Sequence, residues 1–184
     1  MALLQSIVIP LGTPMPDFKL KNPSDEEFEG AKLFGERGLL VGFLCNHCPY
    51  AIAVWPRFVR LAEYAKSMGI NAVAVNPNIN PDYPEDAPEK MTGKIREWNI
   101  DFPYLVDERQ NIARAFKAQC TPDIFLFNSE KKLVYHGRID DNWQDENKVT
   151  REELKEAIEH CASGQGITKD QKPSMGCSIK WLNT

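Results

Sequence analysis

The sequence predicts an α/β domain built on one central mixed sheet with helices on both faces. Three observations carry that expectation. Leu39 to Leu44 is an unbroken apolar run of strand length, the composition of a strand covered on both sides. Apolar strands and amphipathic helices then alternate up to about residue 116. After that the period changes to two strand-like runs, Asp123 to Asn128 and Lys132 to His136, joined by Ser129-Glu130-Lys131, a connection short enough for an antiparallel hairpin. At 184 residues the chain has the size of a single domain, residues 1–184, with no internal repeat or dividing linker.

Taken in order, the apolar run leads into Cys45-Asn46-His47-Cys48-Pro49, and a helix follows to about Met68. Ile52, Trp55, Val59 and Ala62 form its apolar stripe, Arg57, Arg60, Glu63 and Lys66 its wet face, and Gly69 stops it. Pro56 is expected to kink it, because the ring removes a backbone donor. Ile70 to Val75 is a second buried strand. Asp86, with Pro88 and Glu89, reads as a capping box for a helix carrying Met91, Ile95 and Trp98. Phe102 to Val106 is a strand, and Asp107 with Gln110 opens a helix holding Ile112 and Phe116. Beyond the hairpin, Thr150 with Glu153 reads as a capping box for a final helix whose buried side is Leu154, Ala157, Ile158 and Cys161, with Gly164 as its stop. Residues 1–36 and 165–184 remain as flanking extensions.

Composition narrows the function. Net charge is −4, from 22 basic and 26 acidic residues, with no basic stripe, so nucleic acid and anionic membranes are not expected partners. No apolar run approaches the roughly 20 residues of a membrane span. Met1 to Pro10 carries no Lys or Arg and no evident cleavage site, so a secretory signal is not expected. Five cysteines, an odd number, argue against a disulfide framework and for a reducing, cytoplasmic location.

In such a compartment a close cysteine pair means redox chemistry or metal. With Asn46 as N-cap, Cys45 and Cys48 lie near the unpaired amides and the positive dipole end of the helix. That field, and any charge on His47, favours thiolates and lowers thiol pKa. Two cysteines three apart at a helix start can close into a disulfide. The same spacing is half of a zinc site, but no second CxxC or HxxxH pair supplies the other half, so neither metal nor cofactor is expected.

Phe43-Leu44-Cys45-Asn46-His47-Cys48-Pro49-Tyr50 resembles the active-site turn of thioredoxin-like proteins, and more narrowly the peroxiredoxin-like proteins with a CNHCPY motif, relatives of the alkyl hydroperoxide reductase and thiol-specific antioxidant group. Pro16-Asp17-Phe18 is similar to their first P-D-F strand, and Cys120-Thr121-Pro122-Asp123 to their cis-proline loop. Gly137 to Asn142 and the Pro173 to Trp181 segment, with Gly176-Cys177, extend the likeness over about residues 12–181. The resemblance implies a thioredoxin-like fold and a cis Thr121–Pro122 bond opposite the cysteine pair. Thr121 would offer its backbone to an extended substrate segment by strand-like hydrogen bonding. It implies a thiol–disulfide oxidoreductase in which Cys45, the more exposed thiol, attacks a substrate disulfide, Cys48 resolves it and His47 tunes both. The partners are then a disulfide-containing or hydroperoxide substrate and a thiol reductant.

The departures are informative. Leu39 stands where thioredoxins carry a buried acid, and Asn46-His47 replaces Gly-Pro. A low thiolate pKa would make the pair more oxidising. Neither Cys45 nor Cys48 completes the peroxidatic P-x-x-x-T-x-x-C pattern, and no Lys or Arg occurs from Gln119 to Glu130, so thiol peroxidase and non-catalytic metal-binding module stand as alternatives. Cys120 and Cys177 are possible additional thiols; Cys161, His136 and His160 read as structural.

Overall fold

The computed structural model describes residues 2–167 and 170–182. Its strands are β1 (Leu3–Gln5), β2 (Lys19–Lys21), β3 (Glu27–Glu29), β4 (Gly38–Phe43), β5 (Ile70–Asn76), β6 (Tyr104–Val106), β7 (Cys120–Thr121), β8 (Asp123–Asn128), β9 (Leu133–Gly137) and β10 (Met175–Ser178). The helices are α1 (Pro49–Ser67), α2 (Pro88–Glu97), α3 (Asn111–Ala115) and α4 (Glu153–Ser163). The main sheet runs β3-β2-β6-β5-β4-β8-β9, with β4, β5 and β6 parallel and β8 and β9 antiparallel to their neighbours. This is the mixed sheet and the β8–β9 hairpin that the sequence pattern predicts.

β4 is central because every residue on it can be buried. Leu39, Val41 and Phe43 point to one face and join Phe116, Phe125 and Phe127; Leu40 and the following Leu44 point to the other, with Trp55 and Phe58. Phe43 and Phe116 meet edge to face at 5.3 Å, the geometry that ring quadrupoles favour. Gly42 lets α1 close on the sheet: a Cβ there would lie 2.7 Å from the Phe58 ring.

Helix α1 is one helix through Pro56, which is exposed. Its buried face is Ala51, Val54, Trp55, Phe58, Ala62 and Ala65, about one position round from the expected stripe, and Ile52 is left 42% exposed. Arg57, expected on the wet face, is buried. The reason is a partner: its guanidinium donates to the Asp140 carboxylate, to the Asn142 carbonyl (2.8 Å) and to the Trp143 carbonyl (2.6 Å). The two expected capping boxes do not form. Helix α2 starts after Ala87 with no side-chain cap, and the Thr150 hydroxyl donates instead to Asp141. Asp107 does serve the start of α3, accepting from the Ala113 amide at 2.8 Å, although the helix itself begins only at Asn111.

The flanking segments are not mere extensions. β2 and β3 lengthen the main sheet, and β1, β10 and β7 form a separate three-stranded antiparallel sheet. Its register sets Leu3 and Thr121 on either side of Cys177. Residues 1, 168–169 and 183–184 of the expected extensions lie outside the described residues. No described helix is long and apolar enough to cross a membrane.

Candidate active site

β4 delivers the chain to residues 44–48, and α1 begins with Pro49 at its first position. The N-cap is Cys48, with φ −75° and ψ 123°, rather than the expected Asn46. Asn46 cannot cap because its polar groups are engaged elsewhere. Its amide donates to Asp86 Oδ1 at 2.6 Å, its Nδ2 to the Glu85 carbonyl at 2.9 Å, and its Oδ1 accepts from the Tyr104 hydroxyl at 3.0 Å.

The shift of the helix start separates the two thiols chemically. Both are buried, with 0% exposure, so the expected greater exposure of Cys45 is not found. The Cys48 pKa falls to about 5, first because the Cys45 side chain hydrogen-bonds to its sulfur, and further because the Cys177 side chain and the Ala51 and Cys177 amides favour the anion against the cost of burial. Cys45 goes the other way. Burial pushes its pKa well up, and the Cys48 sulfur and the Asp86 carboxylate add to that. The expected lowering is found at Cys48, led by the Cys45 side chain with the Ala51 amide of the helix start contributing, and not at Cys45, where burial dominates. The two shifts favour Cys48 as the anion and Cys45 as the protonated neighbour.

Thr121–Pro122 is cis, as the resemblance implies. Thr121 touches both thiols. Its hydroxyl lies 3.1 Å from Cys45 Sγ in a hydrogen bond, and the Cys48 thiol, when protonated, donates to its carbonyl at 3.2 Å. The Trp55 indole N–H donates to the Cys45 carbonyl at 3.1 Å and fixes the loop from below. The free strand edge expected at Thr121 is absent, because β10 occupies it.

Asp86 was hidden in the sequence as a helix cap and is instead a buried member of the site. Oδ1 accepts from the Asn46 amide and, at 3.0 Å, from Asn76 Nδ2, while Oδ2 bonds His47 Nδ1. The His47 ring packs at a tilt against Tyr83, ring centres 4.5 Å apart, and its side chain is only 7% exposed. Its Nε2 has no hydrogen-bond partner among the described residues. Cys45, His47 and Asp86 offer ligand atoms within 4.8 Å of one another, the one such group among the described residues. Three groups are one short of a closed tetrahedral zinc site, and the Asp86 oxygens already serve Asn46, Asn76 and His47. Asp86 and His47 form a hydrogen-bonded pair, while the Cys45 sulfur bonds the Thr121 hydroxyl.

The remaining candidates sort by burial. Cys120 is fully buried, its thiol donating to the Pro122 carbonyl at 3.4 Å, and burial drives its pKa far up; it is a core residue. Cys161 lies in the buried face of α4, pushed up by burial to about 11. His136 has an acidic partner that sequence proximity did not suggest: Nε2 lies 2.9 Å from Asp123 Oδ1, and its ring stacks on Phe125 at 4.1 Å. Cys177, in β10, is 3% exposed and rests against Cys48.

The redoxin family pattern matches residues 10–157, which hold both active-site thiols, His47, Asp86 and the cis-proline loop. The chain belongs to the redoxin family. An uncharacterized conserved protein from Geobacillus kaustophilus has the same structure with TM-score 0.94 and 37% identity, over 100% of this redoxin and 98% of that chain. The peroxidoxin BcpB of Mycobacterium tuberculosis, 14% identical, shares the fold with TM-score 0.58 over 83% of this chain and 94% of its own. The thiol-disulfide oxidoreductase ResA of Bacillus subtilis (strain 168) is 24% identical over 123 residues, 67% of this chain and 64% of ResA. The chain thus matches less than two thirds of that relative's length.

Two outcomes are expected of this redoxin. Between pH about 5 and 9 the unfolded chain holds a Cys48 proton that the folded chain has released, so stability rises with pH across that window. Above 9 the unfolded chain releases protons that folded Cys45 and Cys161 retain, and stability falls again. Denaturant midpoints measured against pH should show the rising limb in the wild type and lose it in Cys48→Ser. The second concerns the close approach of β10. A Cβ on Gly176 would lie 2.1 Å from the Thr121 carbonyl oxygen, and a backbone atom has nowhere to yield. Gly176→Ala should cost about 1–3 kcal/mol, the usual cost of overpacking. It should also make Cys48 faster to alkylate than in the wild type; an unchanged alkylation rate would mean β10 is not what shields it.

Proposed function

We propose that this protein is a thiol–disulfide oxidoreductase working through Cys45 and Cys48. The observation that carries the reading is the division between two hydrogen-bonded thiols, one favoured as an anion and the other held protonated, beside a cis-proline loop. Cys48 thiolate attacks a substrate disulfide, forming a mixed disulfide and expelling one substrate thiolate. Cys45 then gives up its proton and attacks Cys48 Sγ, closing the Cys45–Cys48 bond and releasing the second substrate thiolate. The nearby His47–Asp86 pair is the group suited to take that proton, since the Asp86 bond at Nδ1 fixes the ring and leaves Nε2 available. A thiol reductant resets the pair. No metal or cofactor enters the scheme.

Glutathione redox titration with mass mapping of the bridge tests it. A reversible Cys45–Cys48 couple between about −270 and −120 mV, the span of known exchange catalysts, is expected. Absence of that bridge at every ratio sinks the reading.

Hydroperoxide reduction, the antioxidant activity, is the second reading, supported by the depressed Cys48 pKa. Arg57, on the helix that Cys48 caps, is committed to Asp140, so no guanidinium is assigned to activating a peroxide. Stopped-flow oxidation no faster than that of a free low-pKa thiol would remove this reading. We place the working compartment in the cytoplasm, on the odd count of five cysteines; fractionation that recovers the protein outside it would overturn the placement.

A further inference from the structure

The geometry points to Cys177 as a second resolving thiol for Cys48, carried on a strand that fills the place of an extended substrate segment. The inference rests on the disulfide-exchange reading above and adds a third redox-active cysteine to it.

Three independent features converge on this thiol. The first is register. β10 lies antiparallel to β7 with Cys177 opposite Thr121 and Ser178 opposite Cys120, so the chain's own residues make the strand-like contacts that an extended segment would make at this edge. The second is fit. Only a residue without a side chain passes the Thr121 carbonyl at this distance, and Gly176 stands there, immediately before the cysteine. The strand is held on its other side by β1, by the Ser178 amide donating to the Ala2 carbonyl at 3.0 Å, and by the Ser6 amide donating to the Ser174 carbonyl at 3.0 Å. The third is position relative to the reacting sulfur. Cys48 meets two thiols, Cys45 of its own loop and Cys177 of β10, and all three belong to one buried cluster.

The chemistry balances without any reagent beyond the substrate disulfide. Cys48 thiolate attacks it, a Cys48–substrate disulfide forms, and one substrate thiolate leaves. Cys177 then loses its proton and attacks Cys48 Sγ. The Cys48–substrate bond breaks, the second substrate thiolate leaves with that proton, and a Cys48–Cys177 bond remains. Two electrons pass from the cysteine pair to the substrate disulfide, and Cys45 stays a thiol throughout. In the reduced protein Cys177 is held up at about 12, by burial first and by the Cys48 sulfur next. The second of these weakens once Cys48 carries no charge, which is the moment at which Cys177 is required to react. The positive charge of Lys180 acts in the same favourable direction.

The oxidised product would differ from a Cys45–Cys48 disulfide in one respect. It fastens β10 across the Thr121 edge and so closes the site to a further extended segment until a reductant cuts the bond.

The test uses the full chain and oxidised glutathione as the probe. Reduced Cys45→Ser, incubated with it, should retain no glutathione and should yield a Cys48–Cys177 bridge by tandem mass spectrometry. Cys45→Ser/Cys177→Ser should keep glutathione on Cys48. Equal retention in the two variants, with Cys177 still open to alkylation after unfolding, overturns the proposal. A wild-type arm does not depend on the folding of any variant: partial oxidation and acid quenching should give Cys48–Cys177 alongside Cys45–Cys48. Wild-type protein that forms only Cys45–Cys48 sinks this inference and leaves the oxidoreductase reading intact. Protein that forms neither bridge sinks the reading on which both rest.

Discussion

Cys48→Ser abolishes exchange with a small disulfide, reducing the rate to that of the uncatalysed mixture, whereas Cys45→Ser still attacks the substrate once. The reason lies in which sulfur is favoured as the anion: Cys48, hydrogen-bonded first by the Cys45 side chain. A serine hydroxyl at residue 48 is not ionised at neutral pH, so the attacking anion is gone. The remaining Cys45 cannot take over, because burial and the Asp86 carboxylate hold its proton. The assay is the rate of oxidised glutathione consumption under reducing turnover, with single-turnover mass analysis of each variant. A glutathione adduct on Cys45 in Cys48→Ser, formed at the wild-type rate, would restore Cys45 as the attacking thiol. The pH profile is a second check: the first step in wild-type protein should fall away below about pH 5 as Cys48 protonates.

Arg57→Ala carries the largest expected stability loss. Its guanidinium meets the Asp140 carboxylate with side-chain exposures of 7% and 5%, and it also serves the Asn142 and Trp143 carbonyls. Truncation leaves a buried carboxylate without its cation, a loss of about 3–5 kcal/mol. For a domain of this length that lowers the melting temperature by roughly 6–20 °C. The pairing also bears on the site, since Trp143 packs at a tilt against Tyr50, ring centres 4.0 Å apart, at the start of α1. Arg60→Ala is the control one turn away. Its pair with Glu146 is about half exposed on both sides, so its removal should cost less than about 1 kcal/mol. Thermal melts of the two variants, side by side, decide the matter; equal melting temperatures would mean the Arg57 pair contributes nothing net.

Arg57 also shows why parts of the structure could not be read from the chain alone. Helical periodicity places a residue on a face, but the face of Arg57 is settled by Asp140, distant in sequence. Asp86 is the parallel case within the site. An acid followed by Pro88 and Glu89 satisfies the local rule for a helix start, yet it is bound to Asn46, Asn76 and His47, whose approach no local rule encodes. What was legible is what short-range pattern governs: the apolar run of β4, the turn bearing the two thiols, the β8–β9 hairpin, and the cis-proline loop through its likeness to a known family. β1 had no such signal, and β10 had only a family likeness that does not mark it as a strand. They are three and four residues long, too short for a period to declare itself, and they exist only because they pair.

That pairing has a consequence for the life of the protein before it is complete. Cys45 and Cys48 leave the ribosome before Asp86, Thr121 and β10, with β4 already made. The strand that roofs the pair is made after α1 to α4, and its partner β1 before them, so the little sheet closes only across all the elements between. Contacts of such long separation are slow to form. Until residues 175–178 arrive, the two thiols have no roof and Cys48 lacks the Cys177 groups that favour its anion, so both are open to whatever oxidant or disulfide is at hand. The redox state of the surroundings during synthesis, as much as that during service, therefore sets how many molecules begin work with their thiols intact.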